Sequence, residues 1–536
     1  MNGLGGSDAQ PRCVLRDLLH AQAEARPDEV YAAFESGQTW TFRELLAQVR
    51  ETAAGLAALG VRQGDFVALW LAHGPVALRT WFAVNYLGAV AVPVNLAYKG
   101  QLLARVLANS GVRLMVLESH LVDRLQALAP ADRASLSTLV TVGDGEPSVP
   151  PGLRQVDEAA LHGAGSSPPE PSVPIRATDL QVVLYTSGTT GPSKGVLCSY
   201  LHLWTSGHNV YFLTARDRYM VNLPLAHVSG ILPCTLMLAL GGSIAVVERF
   251  QTDRFWEQIR GCQATFVILL GAMAKFLLSQ PARDEERGTP LTKILLLPFD
   301  MPTEPMRQRW GVDVYTSFNM TEVCCPIMSA PNPTALGSCG RLRPGIEARI
   351  ADPEDFEVGD GTVGELLLRT DQPWSFSHGY HEDPAATARA WRNGWFHTGD
   401  AFRRDAEGNF YFVDRLKDTI RRRGENISSF EVEAELLAFP AVQEAAVVAV
   451  PSEFGEDEVM AVVTSKPGQR VDPVELVHFL VPRMPYFMVP RYVRVVAELP
   501  KTPTLKVEKH LLRHQALEAP GVWDREQAGL HLNRNT

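Results

Sequence analysis

The chain has 536 residues, 46% of them hydrophobic and 21% charged, with a formal net charge of −10. A chain this long can form several average domains or one large multi-lobed enzyme. A net acidic chain with only one short basic cluster, Arg421–Arg423, is not built as a nucleic-acid binder. The most apolar stretch, Ile231–Val247, is broken by Pro233, Gly241 and Gly242. It is shorter than the ~20 residues a membrane helix needs, so no membrane span is expected. The seven cysteines show no CxxC spacing and the N-terminus lacks a basic-then-apolar leader. Both features point to reduced thiols and a cytoplasmic protein.

In chain order, Leu15–Ala25 and Phe42–Leu59 have helical periodicity, and Asp65–Leu71 reads as a buried strand. Helix Val76–Leu87, strand Gly88–Asn95, helix Tyr98–Ser110 and strand Leu114–Leu117 follow. This alternation predicts an α/β fold with a parallel sheet covered by helices. Gly143–Pro174 is rich in Pro, Gly and Ser and reads as a surface connection. A buried strand Leu180–Leu184 then empties into a polar loop. Beyond it come helix His202–Leu213, strand Tyr219–Leu223, the PLAH segment Pro224–His227 and helix Gly230–Leu240. Ser243–Val247, Ala264–Leu269, Lys293–Leu297 and Val312–Ser317 are further strands. From Gly361 the texture changes to short strands with turns. After Asp414 a compact α+β pattern predicts a second domain, with helices Ser429–Ala438 and Pro473–Val481 and strands Ala445–Val450 and Tyr492–Val496.

The loop after Leu184, YTSGTTGPSKG at Tyr185–Gly195, is suited to phosphate. Glycines let backbone N–H groups crowd an anion, hydroxyls add donors, and Lys194 adds charge. The donors are Thr186, Ser187, Thr189, Thr190 and Ser193 around Gly188 and Gly191. It is not a Walker A loop, because Ser193 stands where the second glycine of GxxxxGK[ST] belongs.

YTSGTTGPSKG resembles the phosphate loop of the adenylate-forming superfamily: acyl-CoA synthetases, peptide-synthetase adenylation domains and beetle luciferases. Further signatures follow in the family's order. FNMTE, Phe318–Glu322, resembles a motif in which Thr321 would contact phosphate and Glu322 would hold Mg²⁺, with Asn319 where a glycine is usual. In WFHTGD, Asp400 resembles the ribose-binding aspartate, and His397 reads as structural. In DRLKDTIRRRGENIS, Asp414–Ser428, Arg415 resembles the nucleotide-contacting arginine and Lys417 the hinge. Gly424, with Glu425 and Arg421 beside it, resembles the wall of a CoA thiol tunnel. Lys506 in PKTPTLKVEK resembles the adenylation lysine, with Leu505 in place of glycine. Phe318 and Asn319 complete the nucleotide set. Gly271 and RGENIS look most like the crotonobetaine/carnitine-CoA ligase branch.

The resemblance implies a large multi-sheet α/β N-terminal AMP-binding domain over 1–414 and a hinge at 415–417. A small mobile α+β domain over 418–520 and a tail at 521–536 complete the chain. It implies an acyl-CoA ligase using ATP, Mg²⁺ and coenzyme A, in which His227 gates the acyl and thiol channels. Ala226 stands where many relatives carry a bulky aromatic. With Gly271, Leu297 and Phe299 it would line a roomy acyl pocket for a bulky, apolar acid. NLPLAHVSG offers no Asp for an amino group, so an amino acid is not expected. Asn319, Leu505 and the LPFDMP segment at Leu297–Pro302 keep two alternatives open. One is an enzyme that forms only the thioester, from an acyl-adenylate supplied by a partner adenylating enzyme. The other is a non-catalytic acyl-AMP or nucleotide binder. A homodimer is compatible with each.

Overall fold

The computed structural model describes residues 12–532 apart from 146, 164, 166, 187–192, 209, 300, 416–418, 423–424, 453–454, 501–506, 508 and 514–515. Two seven-stranded, largely parallel sheets form its centre. One runs in the order Arg154–Asp157, Thr138–Val142, Leu114–Glu118, Phe66–Trp70, Val90–Pro93, Leu180–Thr186, Lys194–Ser199. The other runs Asp313–Tyr315, Lys293–Leu297, Phe266–Leu270, Arg218–Val221, Ser243–Val246, Val30–Phe34, Thr39–Thr41.

Side-chain alternation makes each strand serve two cores. Val67 and Leu69 face the cluster shared by both sheets, while Ala68 and Trp70 face the outer cluster with Leu103 and Leu107. Ile268 and Leu270 face the shared cluster, and Val267 and Leu269 face Met306 and Trp310. Strands buried on both faces read as continuous apolar runs, which is why the parallel sheet was visible in the sequence. Helices Phe42–Ala58, Pro75–Tyr86, Tyr200–His208 and Val228–Leu240 fill the space between the sheets. Thr41 starts the first of these as a full capping box with Glu44.

A third seven-stranded sheet, antiparallel throughout, carries Ser317–Phe318 at one edge and has Phe410–Arg415, Phe396–Arg404 and Gly364–Thr370 as neighbours. The C-terminal region has a hairpin, Thr419–Arg422 with Glu425–Ser428, and a four-stranded sheet. Helices Ser429–Leu437 and Pro473–Leu480 pack on that sheet.

Three expectations change. Gly143–Pro174 is more than a connection, because Arg154–Asp157 adds an edge strand to Thr138–Val142. The expected tail 521–536 supplies strand Val522–Asp524 beside Tyr492–Val496. It is anchored by buried Arg525, which donates to the Pro490 and Leu530 carbonyls. An exposed sheet edge is thereby paired. The helix expected at His202–Leu213 spans Tyr200–His208.

The C-terminal domain docks on the first helix turn after Tyr98. Leu102, Ala97 and Tyr98 join its apolar cluster. Gly100 has φ of +54°, and a Cβ there would lie 2.9 Å from the Arg483 carbonyl oxygen, so a larger residue would push the domains apart.

Candidate active site

The expected pocket residues leave the carboxyl ends of adjacent parallel strands, where α/β sheets bind ligands. Leu270 and Leu297 are register partners, so Gly271 and Leu297 emerge side by side. Strand Arg218–Val221 leads to Ala226 and His227, and Asn222 donates to the Ile268 carbonyl at 2.9 Å, fixing the neighbouring exit. His227 precedes helix Val228–Leu240, whose Gly230 packs directly on Pro224; a Cβ there would meet the Pro224 carbonyl oxygen at 2.2 Å. His73, which no motif reading found, clamps this segment. It accepts from the Leu225 N–H at 3.2 Å and donates from Nδ1 to the Val247 carbonyl at 2.9 Å, which fixes the ring's tautomer. Phe299 does not join this group. It is 3% exposed and lies in the cluster of Met306 and Trp310, whereas Leu297 packs on the shared cluster.

Strands Leu180–Thr186 and Lys194–Ser199 form a hairpin with Thr186 opposite Lys194. Ser187, Gly188, Thr189, Thr190 and Gly191 lie outside the described residues. Tyr380 joins this loop to the second motif. Lys194 Nζ lies 4.8 Å from its ring centroid, and its hydroxyl donates to Glu322 Oε1 at 3.0 Å. A Tyr in an aperiodic connection carries no sequence signal; only the Asp383 cap of the next helix marks the neighbourhood.

Glu322 is 7% exposed, and half-buried Thr321 precedes it. A buried carboxylate that accepts from a tyrosine hydroxyl, with a threonine next to it in the chain, is a donor set that fits a hard divalent cation. Asn319, at the glycine position, accepts from the Cys325 N–H at 2.8 Å and closes the turn that follows, where Cys325 has φ of +49°. Phe318 packs edge-on against Phe402 at 4.9 Å, tying this strand to the one carrying Asp400.

Asp400 is 1% exposed and is the register partner of Arg415 across the antiparallel pair. Glu365 holds the approach to it, accepting from the Gly399 N–H at 2.9 Å and pairing with His397 Nδ1 at 3.0 Å. Burial pushes the Glu365 carboxyl up, but His397, the Gly399 N–H and Arg392 more than offset this and hold it below its ordinary value. Asp355 stands by His397 at 3.7 Å, and Arg392 pairs with both carboxylates at 3.3 Å, so the structural reading of His397 fits these contacts.

The C-terminal hairpin closes on His227. Glu425 Oε2 lies 2.7 Å from His227 Nε2. Burial lowers the His227 ring's pKa, yet Glu425 outweighs it and the net shift is upward. The arginines of the short basic cluster differ. The Arg421 N–H donates to Asp457 at 3.0 Å. Arg422 is buried, bonds the Phe487 and Val489 carbonyls, and pairs with Glu458 at 2.6 Å, so it is part of the domain core. Gly424, Lys417 and Lys506 lie outside the described residues.

The model of the family described as AMP-binding enzyme matches residues 19–381. The model described as AMP-binding enzyme C-terminal domain matches residues 431–506. Crotonobetaine/carnitine–CoA ligases from Salmonella paratyphi A and Salmonella typhimurium are each 28% identical to this chain, over 93% of it and 98% of their own length. Among solved structures, a double mutant of o-succinylbenzoate CoA synthetase from Bacillus subtilis, bound to a product analogue, has a TM-score of 0.79 at 25% identity. The match covers 94% of this chain and 99% of that one. The amide bond synthetase McbA from Marinactinospora thermotolerans has a TM-score of 0.78 at 26% identity, covering 93% and 99%.

Proposed function

The chain belongs to the AMP-binding enzyme family, and on that premise we propose that it is an AMP-forming acid–thiol ligase that converts a bulky, apolar carboxylic acid into its CoA thioester through an acyl-adenylate. The observation that carries this reading is the meeting of Glu425, from the second domain, with His227 at the acyl end of the first. A cleft that only held a nucleotide would have no use for that closure.

A carboxylate is a poor acyl donor because its leaving group would be oxide. Its oxygen attacks the α-phosphorus of ATP, a P–O bond forms, the α–β bond breaks, and pyrophosphate leaves with the electron pair. Two anions approach each other, so catalysis is positioning plus positive charge. Lys194 and the loop donors take the phosphates, Asp400 the ribose hydroxyls, Arg415 the nucleotide, and Lys506 the region where charge develops. Glu322 would hold Mg²⁺, which supplies charge neutralisation to the phosphates. The small domain then turns about Lys417, bringing Gly424 and Glu425 to the cleft. The CoA thiolate attacks the acyl carbon, a C–S bond forms, and AMP departs. His227 swings with Glu425 to open the thiol path. Ala226 leaves room beside it for a wide acyl group.

The test is acyl-CoA formation from acetic, octanoic, benzoic, 1-naphthoic and adamantane-carboxylic acids with Mg·ATP and CoA, repeated with each preformed acyl-adenylate. The wide acids are expected to outrun acetic acid by at least tenfold. Lys506→Ala is expected to abolish the reaction from the acid and spare the reaction from the adenylate. No acyl-CoA by either route would refute the ligase reading.

A further inference from the structure

Glu431 makes a contact that the chemistry above does not use. It lies in the first turn of helix Ser429–Leu437 of the C-terminal domain and is 4% exposed. Its Oε1 accepts from both the N–H of Ser193, at 2.8 Å, and the hydroxyl of Ser193, at 2.5 Å. Ser193 is the last hydroxyl of the phosphate loop. One carboxylate oxygen taking a backbone N–H and a serine O–H at once stands as a phosphate oxygen would stand on the same pair. Burial pushes the Glu431 carboxyl up, and the two Ser193 donors and nearby Arg105 offset this only in part, so the net shift is upward. Tyr98 lies in the same junction, close to Ser193, Glu431 and Glu425. Lys509 ties the helix down through Ser429, at 2.8 Å, and Glu433, at 2.6 Å. The carboxylate is thus presented to the loop by a braced element.

A pair of donors satisfied by a carboxylate cannot serve a phosphate at the same time. We propose that Glu431 is a positioning residue for the thioester-forming half-reaction: it takes the Ser193 donors when pyrophosphate leaves and so holds the C-terminal domain over the acyl-adenylate. The inference rests on the ligase reading above. It makes departure of pyrophosphate a precondition for docking, and it makes pyrophosphate a competitor of the docked arrangement.

The test uses the full chain and the acid of the panel that the wild type turns over fastest. ATP–pyrophosphate exchange reads the first half-reaction, and acyl-CoA formation from the preformed adenylate reads the second. Glu431→Ala is expected to change exchange by less than threefold and to slow thioester formation at least tenfold. It is also expected to lower, several-fold, the pyrophosphate concentration that halves thioester formation, because the competing carboxylate is gone. Glu431→Gln keeps an acceptor oxygen and is expected to recover part of the rate. A structural defect alone would lower both half-reactions together and leave pyrophosphate sensitivity unchanged, and that result would overturn the role of Glu431. If the wild type forms acyl-CoA and Glu431→Ala matches it, only the Glu431 role falls. If the wild type forms none by either route, the ligase reading falls and takes this role with it.

Discussion

Tyr380 shows how one side chain can join two motifs. Its ring faces Lys194 and its hydroxyl donates to Glu322. Tyr380→Phe keeps the ring and removes a hydrogen bond to a charged acceptor, a loss of about 1.5–3 kcal/mol. The expected result is a KM for ATP raised roughly tenfold, since about 1.4 kcal/mol is a factor of ten, with the melting temperature little changed. Pyrophosphate exchange at varied ATP measures it, and an unaltered KM would show that Tyr380 does not set the Glu322 carboxylate. Asn319 makes a different point at the same scale. It replaces a glycine of the motif, yet its side chain closes the turn up to Cys325 instead of obstructing it.

The strand Phe396–Arg404 departs from regular pairing where it matters. Its register with Gly364–Thr370 shifts between Glu365 and Leu367, and Gly399 has φ of +71°. The bulge turns the chain just before Asp400. Glu365 stabilises it by accepting from both sides of the turn, the Gly399 N–H and His397 Nδ1. Glu365→Ala leaves these groups without that acceptor, at about 1–3 kcal/mol for a buried group. The KM for ATP is expected to rise about 5-fold or more with a smaller change in kcat, on the scale of those energies. The effect should shrink when 2′,3′-dideoxy-ATP replaces ATP, because that nucleotide lacks the hydroxyls Asp400 would hold. Equal losses with both nucleotides would make Glu365 a stabiliser of the sheet and nothing more.

At the scale of the whole molecule, the docked domains are joined by a titratable contact. Glu425 raises the His227 pKa in the docked arrangement against the lowering effect of burial. A raised histidine favours docking fully below its undocked value, about 6.5, and that contribution is lost as pH rises through the docked value. Thioester formation from preformed adenylate should therefore lose this support on the alkaline side, while CoA thiolate rises in the opposite direction. The ratio of wild type to Glu425→Gln separates the two effects. It is expected to fall with rising pH, and a flat ratio would remove the pair from domain docking. Gly100, Tyr98 and Leu102 add an apolar part to the seam.

Much of this was legible in the sequence because it is local. Apolar runs buried on both faces announced the parallel strands, and a glycine- and hydroxyl-rich loop pointed to the family. FNMTE, WFHTGD and RGENIS carried the resemblance that implied their roles. The strand Val522–Asp524 escaped because an edge strand this short has no period to read. Tyr380, His73, Glu365 and Glu431 escaped for a common reason. Each acts through a partner far away in the chain, and no spacing rule links a carboxylate on a C-terminal helix to the last hydroxyl of a phosphate loop. The chain by itself determined which chemistry its motifs can support. Tertiary structure alone decided which carboxylate meets which donor, because only folding sets distances between residues that the chain keeps apart.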